Sequence, residues 1–309
     1  MDIAKKIAEE LEIKVTQVEA AVKLIDEGCT IPFIARYRKE VTGALNDEQL
    51  RNLDERLKYL RNLEDRKAQV LASIEEQGKL TPELKAQIVA AETQVLVDDL
   101  YRPYRPKRRT RATIAKEKGL EPLAVLISLQ NSKEPLEKEA EKYVSEEKGV
   151  KNVQEAIDGA KDILAENISD EADYRKRIRD LTFKKGTLVS AAKDEKAESV
   201  YEMYYDFTEA VSKVAGHRVL ALNRGEKEKF LSVKIEAPEE EILRYLEKKA
   251  IRRDNPYTTP ILKEVVADSY QRLIAPAIER ELRNELTEKA EDGAILVLSL
   301  IHISEPPRH

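Results

Sequence analysis

From Asn46 to Gln77 the chain runs without a proline or a glycine, and Leu50, Leu53, Leu57, Leu60, Leu63, Val70 and Ile74 recur at steps built from three and four. That period places them on one narrow line of a long α-helix, and the Asn46 side chain is suited to cap its first turn. A line so narrow predicts packing against a partner helix in coiled-coil fashion. The rest of the helix surface, dense in Glu, Lys and Arg, reads as solvated. Composition agrees: 41% hydrophobic and 37% charged residues, 5% aromatics, 10 Gly and no Trp describe a helix-rich chain with a heavily charged surface. The expected fold class is mostly α: a multi-helix array with one long central helix.

Ile3, Ile7 and Leu11, then Val15, Val18, Val22 and Ile25, predict two short helices broken near Glu12–Lys14, with Thr16 available as a cap and Gly28 as a stop. This helix-turn-helix-like pattern suits groove reading in DNA, although core packing in a bundle is the simpler account. In the next segment, IPFIARYRKEVTG, Ile31, Phe33, Ile34 and Val41 are expected in the core, with Arg36, Arg38 and Lys39 projecting together. Gly78 stops the long helix and Thr81-Pro82 starts another. Short helices are expected from Pro122, from Pro135 and after Asn152, and a longer one over about Glu171–Lys185. A further helical piece is expected at 216–225, and helix resumes at Pro238. A long helix starts near Pro260, with Pro276 as a kink or boundary. Phe230–Ile235 alternates, giving a minor strand near 230–235.

The charge distribution is uneven. The chain carries 59 Asp and Glu against 54 Lys and Arg, yet Leu100–Lys116 contains Arg102, Arg105, Lys107, Arg108, Arg109, Arg111 and Lys116 with no carboxylate. Pro103 and Pro106 keep this strip from forming an ordinary helix. Arginine's planar fork matches phosphate oxygens, and the interleaved Tyr101 and Tyr104 offer faces on which an unpaired base could stack. Internal pairing with acidic residues, Asp98 and Asp99 first, explains the charge equally well.

Other chemistry is sparse. The single cysteine, Cys29, leaves no disulfide framework, and with three histidines no closed Cys/His zinc site. No phosphate-cradling glycine loop, EF-hand spacing or zinc-protease motif occurs. Cys29 reads as an inert thiol and His217 as a surface or capping side chain. No cofactor, metal or enzymatic activity is expected. No secretory signal and no run of about 18 apolar residues is present, so no membrane partner is expected and the expected compartment is the cytoplasm. The tail Leu298–His309 breaks the composition and resembles a translated sequencing adapter; it is set aside as non-native, which makes the rest read as an interrupted fragment.

Three segments, GCTIPFIARYRKEVTGALNDEQL (Gly28–Leu50), DDLYRPYRPKRRTRATIAKEKGLEPLA (Asp98–Ala124) and HRVLALNRGEKEKFLSVKI (His217–Ile235), resemble in order the N-terminal half of the Tex family of bacterial transcription accessory proteins. The resemblance implies a helical N-terminal region with a helix-turn-helix-like part and a long central helix. In complete members a ribonuclease-H-like domain, helix-hairpin-helix modules and an RNA-binding oligonucleotide-fold domain follow. The expected division is a helix-turn-helix-like part at 1–45, a helical domain at 46–200 carrying the basic loop 101–113, a helical connecting region at 201–297, and the tail 298–309. The expected function is non-catalytic binding of nucleic acid, RNA first and DNA second, in a transcription accessory role with the transcription machinery as a further partner. The residues expected to make contact are Arg36, Arg38, Lys39, Arg102, Tyr104, Arg105, Lys107, Arg108, Arg109 and Arg111. The alternative is a helical scaffold that docks onto the other Tex domains or the transcription machinery without touching nucleic acid.

Overall fold

The computed structural model describes residues 2–106 and 108–304, with side chains described as far as Ala294. Lys107 and residues 305–309 therefore lie outside the described residues, as do the side chains of the adapter-like tail. The chain divides into two units, Met1–Arg105 and Pro106–His309.

The first unit is helical throughout: α1 (Ile3–Leu11), α2 (Val15–Asp26), α3 (Ile31–Tyr37), α4 (Asp47–Glu76), α5 (Pro82–Ala90), α6 (Gln94–Tyr101) and a 3-10 turn at Arg102–Tyr104. The 30-residue α4 starts where its sequence indicates. Asn46 Oδ1 accepts from Gln49 N (2.8 Å) while Asn46 N donates to Gln49 Oε1 (3.0 Å), a reciprocal cap. Gly78, at φ +65°, takes the left-handed conformation that ends the helix. All seven apolar seam residues are buried, but the expected single partner helix is replaced by several short ones. A helix of 30 residues is about 45 Å long, and α1, α2, α3, α5 and α6 each cover part of it. Lys67 occupies the one seam position that is not apolar; it is buried, and its Nζ donates to Val89 O and Glu64 Oε1, both at 2.9 Å.

Ion pairs at the rim tie the short helices to α4. Arg56 binds Glu10 of α1 through two bonds (2.5 and 2.8 Å), and Arg61 binds Asp26 of α2 in the same way (2.7 and 2.9 Å). Two expectations for this unit change. Helix α2 begins one residue before Thr16, and Gln17 Oε1 accepts from Lys14 N (3.0 Å) in place of a threonine cap. In α3 only Ile34 is fully buried: this seven-residue helix turns a single residue fully inward, so Phe33 remains 39% exposed and Ile31 half-buried, and in the turn after it Val41 is 48% exposed.

The second unit contains α7 (Arg111–Glu117), α8 (Glu121–Leu129), α9 (Leu136–Glu141), α10 (Val153–Asp170), α11 (Ala172–Lys185), β1 (Thr187–Ala192), β2 (Asp206–Ala210), α12 (Gly216–Lys227), β3 (Leu231–Glu236), α13 (Glu239–Ala250), α14 (Thr259–Asp268) and α15 (Ala275–Ser304). Helix α10, at 18 residues, is longer than its start signal suggested, and α7, α8, α9 and α14 gather on it. The expected strand is β3, joined by two more in an antiparallel sheet of order β2-β1-β3. Leu188 of β1 faces Glu209 on one side and Ile235 on the other. Strand β1 hides in the sequence because its buried positions are Leu188 and Ser190, so no run of alternating apolar residues marks it.

The outer edge of β3 is closed by side chains. Glu279 accepts from Ile235 N (2.8 Å), Glu226 from Val233 N (3.4 Å), and Arg283 donates to Val233 O (3.1 Å). An edge so occupied offers little to a pairing strand. Helix α11 is held to α15 by the fully buried Arg175, which reaches Glu281 Oε1 (2.7 Å), and by Arg179 on Glu281 Oε2. Between α14 and α15 the backbone widens into a π-helical turn at Ser269–Ile274, and Pro276 follows as the second residue of α15. The proline is thus tolerated at a helix boundary. Among the described residues no helix is long and apolar enough to cross a membrane.

Leu60→Ala is expected to destabilise the first unit by about 2–5 kcal/mol in urea unfolding, because it opens a cavity in the seam; a loss below 1 kcal/mol would mean the short helices can close over it. The Arg56 hydrogen bonds hold the Glu10 carboxyl below its ordinary value. Glu10 therefore contributes stability above the ordinary glutamate pKa of about 4.3, and this is lost as pH falls through the lowered folded value. Glu10→Gln should make the acid-side decline of the unfolding midpoint shallower, and an unchanged slope would refute the linkage.

Candidate nucleic-acid interface

The basic strip straddles the boundary between the units, so its residues belong to two separate frames. Arg102, Tyr104 and Arg105 close the first unit; Arg108, Arg109 and Arg111 open the second. Lys107 lies outside the described residues.

In the first unit Arg105 is exposed, while Arg102 and Tyr104 are half-buried. Tyr104 packs on the core of that unit, and its carbonyl accepts from Gln77 Nε2 (2.9 Å). Tyr101 is not available for base stacking. It is buried, its hydroxyl lies 2.9 Å from Ser73 Oγ, and the Arg66 guanidinium sits 5.6 Å from its ring centre. The same Arg66 occupies Asp98, through Nε at 2.9 Å and Nη2 at 2.5 Å. A carboxylate offered by the sequence as a partner for the strip is therefore taken by α4.

In the second unit Arg108, Arg109 and Arg111 are exposed. Thr110 Oγ1 caps α7 by accepting from Thr113 N (3.1 Å), which fixes Arg111 at the first helical position. Arg109 pairs with Glu117 at 2.8 Å, but the two side chains are 70% and 52% exposed. An exposed pair of this kind is weak and open to exchange. Among the described residues the side chains of Arg105, Arg108 and Arg111 make no hydrogen bond or ion pair. Arg111 does act through its field on Asp162 and Asp268, both engaged by Arg272. Burial raises the Asp162 carboxyl above its ordinary value, against the pull of Arg272 and Arg111. The Arg272 hydrogen bonds, helped by Arg111, hold Asp268 below its own.

Arg36, Arg38 and Lys39 are all exposed in and just after the last turn of α3. Two aromatic residues accompany them that the sequence reading left out of the site, Phe33 having been assigned to the core. The Phe33 and Tyr37 ring centres are 5.3 Å apart, and the Arg38 guanidinium lies 5.7 Å from the Phe33 ring. Spacing brings Phe33 together with Arg36 and Tyr37 at helical steps of three and four, but Tyr37 is also three residues from the buried Ile34, so only the observed exposure shows that Phe33 and Tyr37 face water.

The other reactive side chains lie elsewhere. His217 is exposed in the first turn of α12, and Cys29 is half-buried against the core of the first unit. No group of three or more His, Cys, Asp or Glu able to hold a metal ion occurs among the described residues.

Residues 130–298, more than half of the chain, match the family model described as Tex central region-like, and residues 1–75 match the Tex-like protein N-terminal domain. The chain is 49% identical over 300 residues to the uncharacterized protein YdcI of Bacillus subtilis (strain 168), covering 96% of this chain and 42% of that protein. It is 39% identical over 307 residues to the transcriptional accessory protein Tex of Neisseria gonorrhoeae, covering 97% and 40%. It is 28% identical over 312 residues to the S1 RNA-binding domain-containing protein 1 of Homo sapiens, covering 96% and 31%. The chain thus spans about two fifths of the length of its bacterial relatives.

Arg111→Ala should raise the titration midpoints of both Asp162 and Asp268, read from their carboxyl resonances, and leave Glu10 of the other unit where it was. Unmoved midpoints would show that the Arg111 charge does not reach this acidic cluster.

Proposed function

We propose, from the premise that this chain belongs to the Tex family, that it is a nucleic-acid-contacting helical portion of a transcription accessory protein and works by binding without turnover. The observation that carries this reading is the state of the strip. In a chain of net charge -5, Arg105, Arg108 and Arg111 are exposed with no carboxylate at hydrogen-bonding distance among the described residues, and Arg109 has only an exposed one. Guanidiniums in that state can exchange water and counterions for phosphate oxygens.

The accessory role comes from the name of the Neisseria gonorrhoeae relative, and the preference for RNA over DNA from the name of the human one. A cytoplasmic site of action belongs to the same reading. The scaffold alternative is less well supported, since the seam of α4, the natural docking surface, is buried within its own unit.

Replacing Arg108, Arg109 and Arg111 together by Ala should weaken RNA binding by the purified chain and flatten the dependence of log K on log salt by about 2, at roughly 0.7 per phosphate contact on a single strand. An unchanged slope would remove the strip from the binding surface, and hydrolysis of the bound nucleic acid by the purified chain would end the non-catalytic reading.

A further inference from the structure

The end of α3 displays two neighbouring aromatic rings at the surface. Phe33 is 39% exposed and Tyr37 58% exposed, in a chain with only 4 Phe, 12 Tyr and no Trp. An exposed apolar ring forgoes the stabilisation of burial, and the short α3 leaves Phe33 and Tyr37 on the face away from the core. The rings are tilted by 46° at a centre separation of 5.3 Å, so they are not stacked face to face on one another. Around them stand Arg36, Arg38 and Lys39, with Glu40 as the one carboxylate between positions 33 and 40. Among the described residues none of these three cations is ion-paired; Arg38 lies against the Phe33 ring instead.

The turn behind this surface is fixed. Thr42 is fully buried and its Oγ1 lies 3.3 Å from both Arg38 O and Lys39 O. Gln17 of α2 donates from Nε2 to Gly43 O (2.8 Å). The platform is therefore held by its own unit before any ligand arrives, which reduces the ordering cost of binding.

We infer that Phe33 and Tyr37, flanked by Arg36, Arg38 and Lys39, form a base-stacking site for single-stranded nucleic acid. The aromatic faces take unpaired bases and the cations take the adjoining phosphates. A duplex does not fit this chemistry, because its base faces are already stacked on one another. A protein partner would need a broader apolar patch than two rings and Val41, and would have to neutralise the three cations. The inference rests on the nucleic-acid reading above but assigns different residues and a different interaction, so the two can fail separately.

The test is a pair of titrations of the intact chain, followed by anisotropy, with a fluorescent oligouridylate and with the same oligomer made abasic. Wild-type protein should bind the base-containing oligomer more tightly. The Phe33→Ala/Tyr37→Ala variant should lose about tenfold on that oligomer, bind the abasic one as wild type does, and keep the wild-type salt slope because no charge is removed. Tyr37→Phe should bind as wild type. Thermal unfolding of each variant checks that these surface substitutions leave the fold intact. Equal wild-type affinity for the two oligomers overturns the inference, as does a double variant that binds normally or that loses both oligomers equally. If at the same time the Arg108/Arg109/Arg111 variant is weakened, the proposed function stands and only the stacking site falls. If wild-type protein binds neither oligomer, both fall together.

Discussion

With 37% of its residues charged, most of the helices in this chain have a limited apolar face to bury, and the fold hides those faces while leaving most charges in water, with Lys67 and Arg175 among the exceptions. In the first unit the stripe of α4 does most of this. Leu50, Leu53, Leu57, Leu60 and Leu63 are each at most 2% exposed, and burying side chains of this size contributes about 1.5–3 kcal/mol apiece. The charged rim adds less energy but more direction. Glu10 on Arg56, Asp26 on Arg61 and Asp98 on Arg66 each fix where a short helix sits along α4. Exposed pairs of this type are worth little individually, so their effect is on register more than on stability.

The same economy of charge separates structural arginines from candidate binding ones. In the second unit Arg175 and Arg179 converge on Glu281, Arg272 bridges Asp162 and Asp268, and Arg283 holds Glu226, Asn223 and the carbonyl of Val233. These guanidiniums close helix contacts and a sheet edge, and truncating the fully buried Arg175 would leave Glu281 with Arg179 as its remaining cation. Arg105, Arg108 and Arg111 differ in having no carboxylate at bonding distance among the described residues. What distinguishes them from the structural arginines is this lack of a bonded carboxylate, since arginine is plentiful in both settings.

Much of the secondary structure was legible because local chemistry dictates it. The Asn46 cap, the stop at Gly78, the threonine-proline start at Thr81 and a kink or boundary at Pro276 need no tertiary contact to be read. The strands β1 and β2 were not legible, for their buried positions include Ser190 and their sequences carry few β-branched apolar residues. The candidate site was legible as charge and only partly as geometry. Arg108, Arg109 and Arg111 are exposed, but Arg111 opens α7 where a loop through 113 was expected, and Tyr101 turned inward to Ser73 and Phe33 outward.

The sequence by itself determined a mostly helical chain, the position of its longest helix and the strip of uncompensated positive charge, because propensity, capping and net local charge are properties of neighbouring residues. Only the tertiary structure decided which short helices cover α4, which carboxylates are already occupied, and which aromatic rings face water. Those outcomes depend on contacts between residues far apart in the chain, such as Arg66 with Asp98 or Arg272 with Asp162, and a short apolar segment does not state which of its side chains the core has room for.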